Sequence, residues 1–188
     1  MKKLQVAVFL LIASTARGAH SDVEGQVFAG TQTKTIYKNG VPSTTTTTRS
    51  VTPIWQTDAS GKVLPTFSNV EVVGADQWTT TFTNPVALPG PVTGYILDMT
   101  VTKNGQSPQS IGKIVMQGTP GTGPCGFWPS WSSQGTKMVG ENGRFFSQNG
   151  YTIAHADGSC TWHRSGTIVD DAGNFIGTLS TDLTSSAH

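Results

Sequence analysis

The segment Tyr95-Ile96-Leu97-Asp98-Met99-Thr100-Val101 decides the fold class. Apolar side chains recur at every second position from Tyr95 to Val101, and Asp98 and Thr100 fall on the opposite face. Successive side chains of a β-strand point to opposite faces, so this alternation predicts a strand with one apolar and one polar face. A similar pattern near the end of the chain places three apolar residues on one face: Phe175, Leu179 and Leu183.

Turn-forming residues divide the rest of the chain into short segments. Runs rich in Val, Ile, Thr and aromatic residues lie between the turns, and no stretch after residue 19 keeps a 3.6-residue period. We therefore predict an all-β, antiparallel fold, which is an immunoglobulin-like β-sandwich or, as the alternative, a small β-barrel. Five dipeptides of the hairpin type support this prediction: Asn39-Gly40, Asn104-Gly105, Asn142-Gly143, Asn149-Gly150 and Asp157-Gly158.

Residues 1–19 are predicted to be a secretory signal peptide. Two lysines precede an apolar run, Leu4–Ala13, and small residues follow it. The run is too short to span a bilayer, which takes about 20 apolar residues. We expect export to the periplasm or the cell surface, no transmembrane segment, and a single β-sandwich domain over residues 20–188. Cleavage is expected after one of three residues: Ala16, Gly18 or Ala19.

The charge of the chain argues against two classes of partner. The full sequence has 12 basic and 11 acidic residues, and three of the basic ones lie in the leader, which leaves nine basic residues. Nucleic acids and anionic membranes bind clusters of Lys and Arg, so neither is expected as a partner. The polar character comes instead from residues such as threonine, which occurs 28 times and fits the wet face of a strand.

Cys125 and Cys160 are the two cysteines, and we predict that they form a disulfide in an oxidising compartment. The alternative is a metal site with the spacing His155-x4-Cys160-x2-His163, which lacks a second metal-spaced pair. We favour the disulfide and expect neither a metal nor another cofactor.

Enzymatic and copper chemistry have less support. The sequence has no nucleophile elbow, glycine-rich phosphate loop or zinc-helix motif, so we interpret the protein as non-enzymatic. Cleavage after Ala19 would leave His20 at the N-terminus, where the α-amine and the imidazole chelate copper, with His155 or His163 completing the site. A copper protein therefore stays as an alternative.

The segment 117–134 is rich in Pro and Gly and is predicted to be a long loop. It contains Trp128 and Trp131, whose rings either plug one end of the core or anchor a ligand. The second functional hypothesis is accordingly a soluble periplasmic or extracellular module that binds a carbohydrate or another ligand through Trp128 and Trp131.

The two ends of the mature chain carry the most specific pattern. Gly173 is followed by Phe175 and Gly177, and alternation continues to Leu183. With the leader, this layout resembles bacterial chaperone–usher fimbrial subunits, which have an incomplete immunoglobulin-like sandwich and a terminal strand of the type Gly-x-aromatic-x-Gly-x-apolar. The start of the mature chain alternates in the same way, with four residues on one face: Val23, Gly25, Val27 and Ala29.

This resemblance implies a structural or adhesive subunit assembled by β-strand exchange. In that family a periplasmic chaperone, and then the N-terminal segment of the next subunit, fills the groove of the incomplete fold by β-augmentation. The resemblance implies as partners a chaperone, other fimbrial subunits and a host or glycan ligand. It makes Val23, Gly25, Val27 and Ala29 donor residues, and Phe175, Leu179 and Leu183 acceptor residues.

Overall fold

Ten antiparallel strands make up most of residues 26–119, 130–138 and 143–185, which are the residues described by the structure, a computed structural model. These residues contain no helix, and therefore none that is long and apolar enough to cross a membrane. The strands are β1 (Phe28–Lys38), β2 (Val41–Thr57), β3 (Val63–Val73), β4 (Asp76–Ala87), β5 (Gly94–Lys103), β6 (Gln109–Gln117), β7 (Ser130–Gln134), β8 (Arg144–Ala154), β9 (Cys160–Val169) and β10 (Phe175–Ser185).

The sheet closes on itself, because β1 pairs with β10 and every other strand pairs with its neighbours in sequence. The closing seam runs in antiparallel register from Ala29 opposite Thr184 to Ile36 opposite Gly177. The prediction of an all-β antiparallel fold is confirmed, and so is its alternative of a small β-barrel. The immunoglobulin-like sandwich needs two separate sheets, whereas the observed strands form one continuous closed sheet without an edge.

Closure places the described residues of the strand-exchange hypothesis on or beside this seam. Leu179 and Leu183 are buried inside the barrel, whereas Phe175 is 54% exposed and lies against Tyr37. The pairing of β10 with β9 has a register shift between Phe175 and Gly177. Phe175 therefore does not share the buried face of Leu179 and Leu183, contrary to the prediction from the sequence. Val27 and Ala29 are exposed on the outer side, and Val23 and Gly25 lie outside the described residues together with the leader and His20.

Several turn predictions agree with the structure, and one does not. Asn39 and Gly40 join β1 to β2 with φ values of 53° and 77°, the positive values that a two-residue hairpin requires. Asn149-Gly150 lies within β8, where Gly150 faces the interior instead of forming a turn. The end of the predicted loop 117–134 is strand β7. The predicted strand near 136–139 contributes a single bridge, Lys137 to Arg144, within its described part.

The described residues form two apolar clusters in the interior. The smaller consists of Phe145, Ile168 and Leu179 with Ile36, Met138 and Ile176 packed against it. The larger is rich in aromatic residues and includes Cys160. Several polar side chains are buried as well, among them Gln32, Gln148 and Thr181. The buried members of the larger cluster are Phe28, Val51, Trp55, Phe67, Phe82, Leu97, Met99, Ile114, Met116, Trp131, Cys160 and Leu183.

The seam generates a first test. A Cβ atom added at Gly177 would lie 2.2 Å from the carbonyl oxygen of Thr35 in the adjacent strand. Because this neighbour is backbone, we expect Gly177→Ala to lower the free energy of unfolding by about 3 kcal/mol. Thr178→Ala, one residue along on the exposed face, is the control and should change it by less than about 0.5 kcal/mol. Equal urea midpoints for the two variants would contradict the close approach of β1 and β10.

The hairpin aspartates generate a second test. The hydroxyl and backbone N–H of Ser60 donate to Asp58 at 2.6 and 2.8 Å, which lowers the pKa of that carboxyl. Donors from Ser159 and Asn174 likewise lower the pKa values of Asp157 and Asp170. A lowered folded-state pKa contributes stability that is present above the unfolded pKa and lost as the pH falls through the folded pKa.

We therefore expect the melting temperature to fall as the pH drops below about 4. The combined Asp→Asn variant at Asp58, Asp157 and Asp170 keeps an acceptor oxygen in each turn but cannot titrate. It should lose less stability between pH 5 and pH 2 than the unaltered protein. The ordinary aspartate pKa of about 4 lies inside this pH range, and the asparagines do not titrate. An unchanged acid transition would show that the turn carboxylates do not set it.

Candidate functional site

A cavity of about 90 Å³ lies inside the barrel, and eight of the ten strands, β2 to β9, contribute to its wall. Eight apolar residues line it, namely Val51, Phe67, Phe82, Met99, Ile114 and Met116 with Trp131 and Trp162. A polar sector interrupts it, formed by Asn69, Glu71, Thr80, Gln148 and Arg164. The space is thus bounded by apolar side chains and by a carboxylate, a guanidinium, a hydroxyl and two amides.

Two stacked tryptophans form one side of this cavity. The rings of Trp131 on β7 and Trp162 on β9 have centroids 6.2 Å apart and an interplanar angle of 21°. Gly150 on the intervening strand β8 makes room for them, because a Cβ atom there would lie 2.4 Å from the Trp131 indole. The predicted turn glycine therefore serves packing, and the predicted ligand-binding Trp131 is buried in the cavity wall. Trp128 lies outside the described residues.

Three charged side chains meet at the polar sector. Arg49 Nη1 donates to Glu71 Oε1, and both side chains are about four-fifths buried. Arg164 makes no ion pair within the described part of the chain; its Nε donates to Gln148 Oε1 at 3.0 Å. The one carboxylate of the group is thus already paired, while the second guanidinium has only an amide as its partner.

Burial lowers the pKa of Arg164 to about 10, and the nearby charges of Glu71 and Arg49 act on it in opposite directions. Arg164 is therefore still protonated at neutral pH. Its guanidinium carbon also lies 4.9 Å from the ring centroid of Phe145, which gives it a weak cation–π contact. A cation in this position is costly unless a partner offsets the loss of its hydration.

Gln148 fixes the orientation of Arg164. Its amide nitrogen donates to Ser133 Oγ at 2.7 Å and to Thr136 Oγ1 at 2.9 Å. Since these two acceptors are buried and sit on β7 and the segment after it, the amide oxygen is held towards Arg164. Amide orientation here follows from the hydrogen-bond network, because only the nitrogen can donate to two hydroxyl groups and only the oxygen can accept from Arg164.

One atom of the polar sector and one atom of the neighbouring Arg49 lack hydrogen-bond partners among the described residues. Asn69 Oδ1, an acceptor, and Arg49 Nε, a donor, are both buried and make no hydrogen bond to the described residues. Buried polar atoms are nearly always paired, and each exception calls for an explanation. Asn69 lies in the cavity wall, so a molecule inside the cavity that donates a hydrogen bond would satisfy it.

The outer surface carries a larger but chemically different depression. It spans about 380 Å³ across β8, β9, β10 and β1 and is lined mainly by hydroxyl and amide side chains. Several of these are already paired with one another across strands, as Ser165 with Asn149 at 2.8 Å and Thr35 with Thr44 at 2.9 Å. This surface is more open than the interior cavity and none of its lining residues is charged, so the interior is the better candidate site.

The other predicted site residues do not converge. Cys160 points into the barrel and His163 points outwards on the same strand, while His155 is exposed in the preceding turn, so the spaced metal motif does not form a cluster. His163 instead contacts Asp182 at 2.7 Å. In the described ranges, no three His, Cys, Asp or Glu side chains come together. The disulfide stays a prediction, because Cys125 lies outside those ranges.

Comparison of the chain with protein families, with curated proteins and with solved structures found no match.

The internal ion pair can be tested against an exposed one. Glu71→Gln removes the carboxylate that pairs with Arg49 and lies near Arg164, and we expect it to destabilise the fold by about 3 kcal/mol. Asp98→Asn removes the carboxylate of the exposed Lys113–Asp98 pair and is the matched control. Because solvent screens that pair, its loss should change stability far less. Urea denaturation compares the two, and equal losses would mean that the Glu71 site is effectively solvated.

Proposed function

We propose that this protein is a binding module that holds one small, partly apolar molecule inside its β-barrel. The observation that carries the proposal is the cavity wall, which combines apolar side chains with a buried acceptor, Asn69 Oδ1, that has no hydrogen-bond partner among the described residues. Ligand sites typically pair a mostly apolar lining with a few convergent polar groups. A charged residue with a perturbed pKa inside a cavity is a further mark of a binding site.

The volume of the cavity limits the size of the molecule. A cavity of about 150 Å³ accommodates benzene, and one water occupies about 30 Å³ in the liquid. The observed 90 Å³ therefore corresponds to a molecule smaller than benzene, with an apolar part of two or three carbons. This proposal retains the secreted ligand-binding module of the sequence hypothesis but places the ligand beside Trp131 inside the barrel instead of on a loop.

Assembly as a fimbrial-type subunit finds less support in the geometry. Strand exchange needs an unpaired edge that accepts a strand from another molecule. Here β1 occupies the edge of β10 along eight residue pairs. Exchange would require this seam to open, so we take ligand binding as the principal proposal.

A pair of threonine variants on adjacent positions of β4 tests the proposal. Thr80 lines the cavity, and Thr79 lies on the opposite face of the strand. Propionamide and propionate, used as probes of suitable size, should each raise the melting temperature of the unaltered protein, because binding to the folded state alone stabilises it. Thr80→Leu fills the cavity and should abolish both effects, whereas Thr79→Leu should retain them.

Calorimetric titration of the same three proteins gives the affinities directly. A stabilisation of about 2.7 kcal/mol is reached at one hundred times the dissociation constant, so even millimolar binding is measurable. Binding in this cavity would be refuted if neither probe raised the melting temperature of the unaltered protein. It would also be refuted if Thr80→Leu showed the same shift as the unaltered protein.

A further inference from the structure

We propose that the molecule bound in the cavity carries a carboxylate group, and that Arg164 is its counter-ion. This inference rests on the proposed function and specifies the chemical class of the ligand, a short-chain carboxylate.

The first argument is the balance of charge. Two guanidinium groups, Arg49 and Arg164, act on one carboxylate, Glu71, and Arg49 is the one that pairs with it. Within the described residues Arg164 has no anionic partner, and its two terminal nitrogens make no hydrogen bond. A guanidinium presents five N–H donors in a fixed fork, of which a single one is used here. The unused donors match a carboxylate, which accepts two parallel hydrogen bonds.

The second argument is the placement of the guanidinium. Arg164 follows Trp162 on the inward face of β9, and both side chains line the cavity. Gln148 holds the Nε atom through a network anchored on Ser133 and Thr136. With Nε fixed in this way, the loss of side-chain freedom on binding an anion is small, which favours affinity.

The third argument is the apolar remainder of the wall. The apolar residues of the wall can pack against a carbon chain, but they offer no hydrogen bond or opposite charge to a bare inorganic ion. They are Phe67, Phe82, Met99, Ile114 and Met116. An anion with a short apolar tail satisfies both sectors at once. Asn69 Oδ1, an acceptor without a partner, faces the same wall and would receive a hydrogen bond from a hydroxyl or amine on the ligand.

Propionate and propionamide separate this inference from the proposed function, because they have nearly the same shape and differ in charge. We expect the unaltered protein to bind propionate at least tenfold more tightly than propionamide, a difference of about 1.4 kcal/mol. Sodium chloride at equal ionic strength is included and should not reproduce the effect of propionate.

Arg164→Met should reduce the propionate affinity to that of propionamide, so that the preference for the charged probe is lost. Arg144→Met, which removes an exposed arginine from the neighbouring strand β8, should retain the preference for propionate. Arg164→Lys keeps the positive charge without the fork and should give an intermediate preference. The split between the two probes is the decisive readout, because general destabilisation would weaken both equally.

Equal binding of the two probes by the unaltered protein would overturn the carboxylate assignment while leaving the proposed function intact. An unchanged preference in Arg164→Met would also overturn it. Binding of neither probe would refute the proposed function and the assignment with it. Should Arg164→Met fail to fold, the comparison of propionate with propionamide in the unaltered protein still decides the matter.

Discussion

The hydrogen-bonded seam between β1 and β10 is the constraint on which the rest of the structure depends. Without it, ten consecutive hairpin-connected strands would form an open twisted sheet, and the inward side chains of the two halves would not face one another. With it, the inward side chains of the strands face a common interior in which many of them are buried. The same pairing satisfies the backbone groups of both terminal strands and removes the exposed edges that promote association.

Enclosure changes the energetics of every polar group that the barrel contains. Electrostatic interactions strengthen in a poorly polarisable interior, but the cost of removing a charge from water grows as well. The Arg49–Glu71 pair offsets part of this cost, and the hydrogen bond from Arg164 to Gln148 offsets a smaller part for the second cation. Replacing buried charged groups with apolar side chains of similar volume often leaves the stability of a fold unchanged or raises it. A bound anion, as proposed above, would give the second cation the ion pair that it does not form with the described residues.

Local features of the sequence predicted local features of the fold. Alternation from Tyr95 to Val101 corresponds to β5, where Leu97, Met99 and Val101 are buried, because a two-residue period depends on strand geometry alone. The closure of the barrel could not be predicted from such a local pattern. It depends on the pairing of β1 with β10, whose residues lie about 150 positions apart in the sequence. The inward placement of Arg164 did leave a signal: it shares the parity of Trp162 and Ile168 in β9. Its hydrogen bond to Gln148 and its lack of an ion pair with the described residues could be seen only in the three-dimensional arrangement.

The glycines that punctuate the sequence show why turn signals and terminal motifs are ambiguous. Asn149-Gly150 has the composition of a hairpin, yet its glycine is required by the Trp131 indole that lies against it. Gly177, within the pattern that resembles a fimbrial terminal strand, lies against the backbone of β1, where a side chain would collide with the Thr35 carbonyl. Both positions need glycine because another group approaches the backbone closely. The terminal motif thus has a sufficient physical cause in barrel closure, and the same spacing of glycine and apolar residues serves a strand that completes its own sheet.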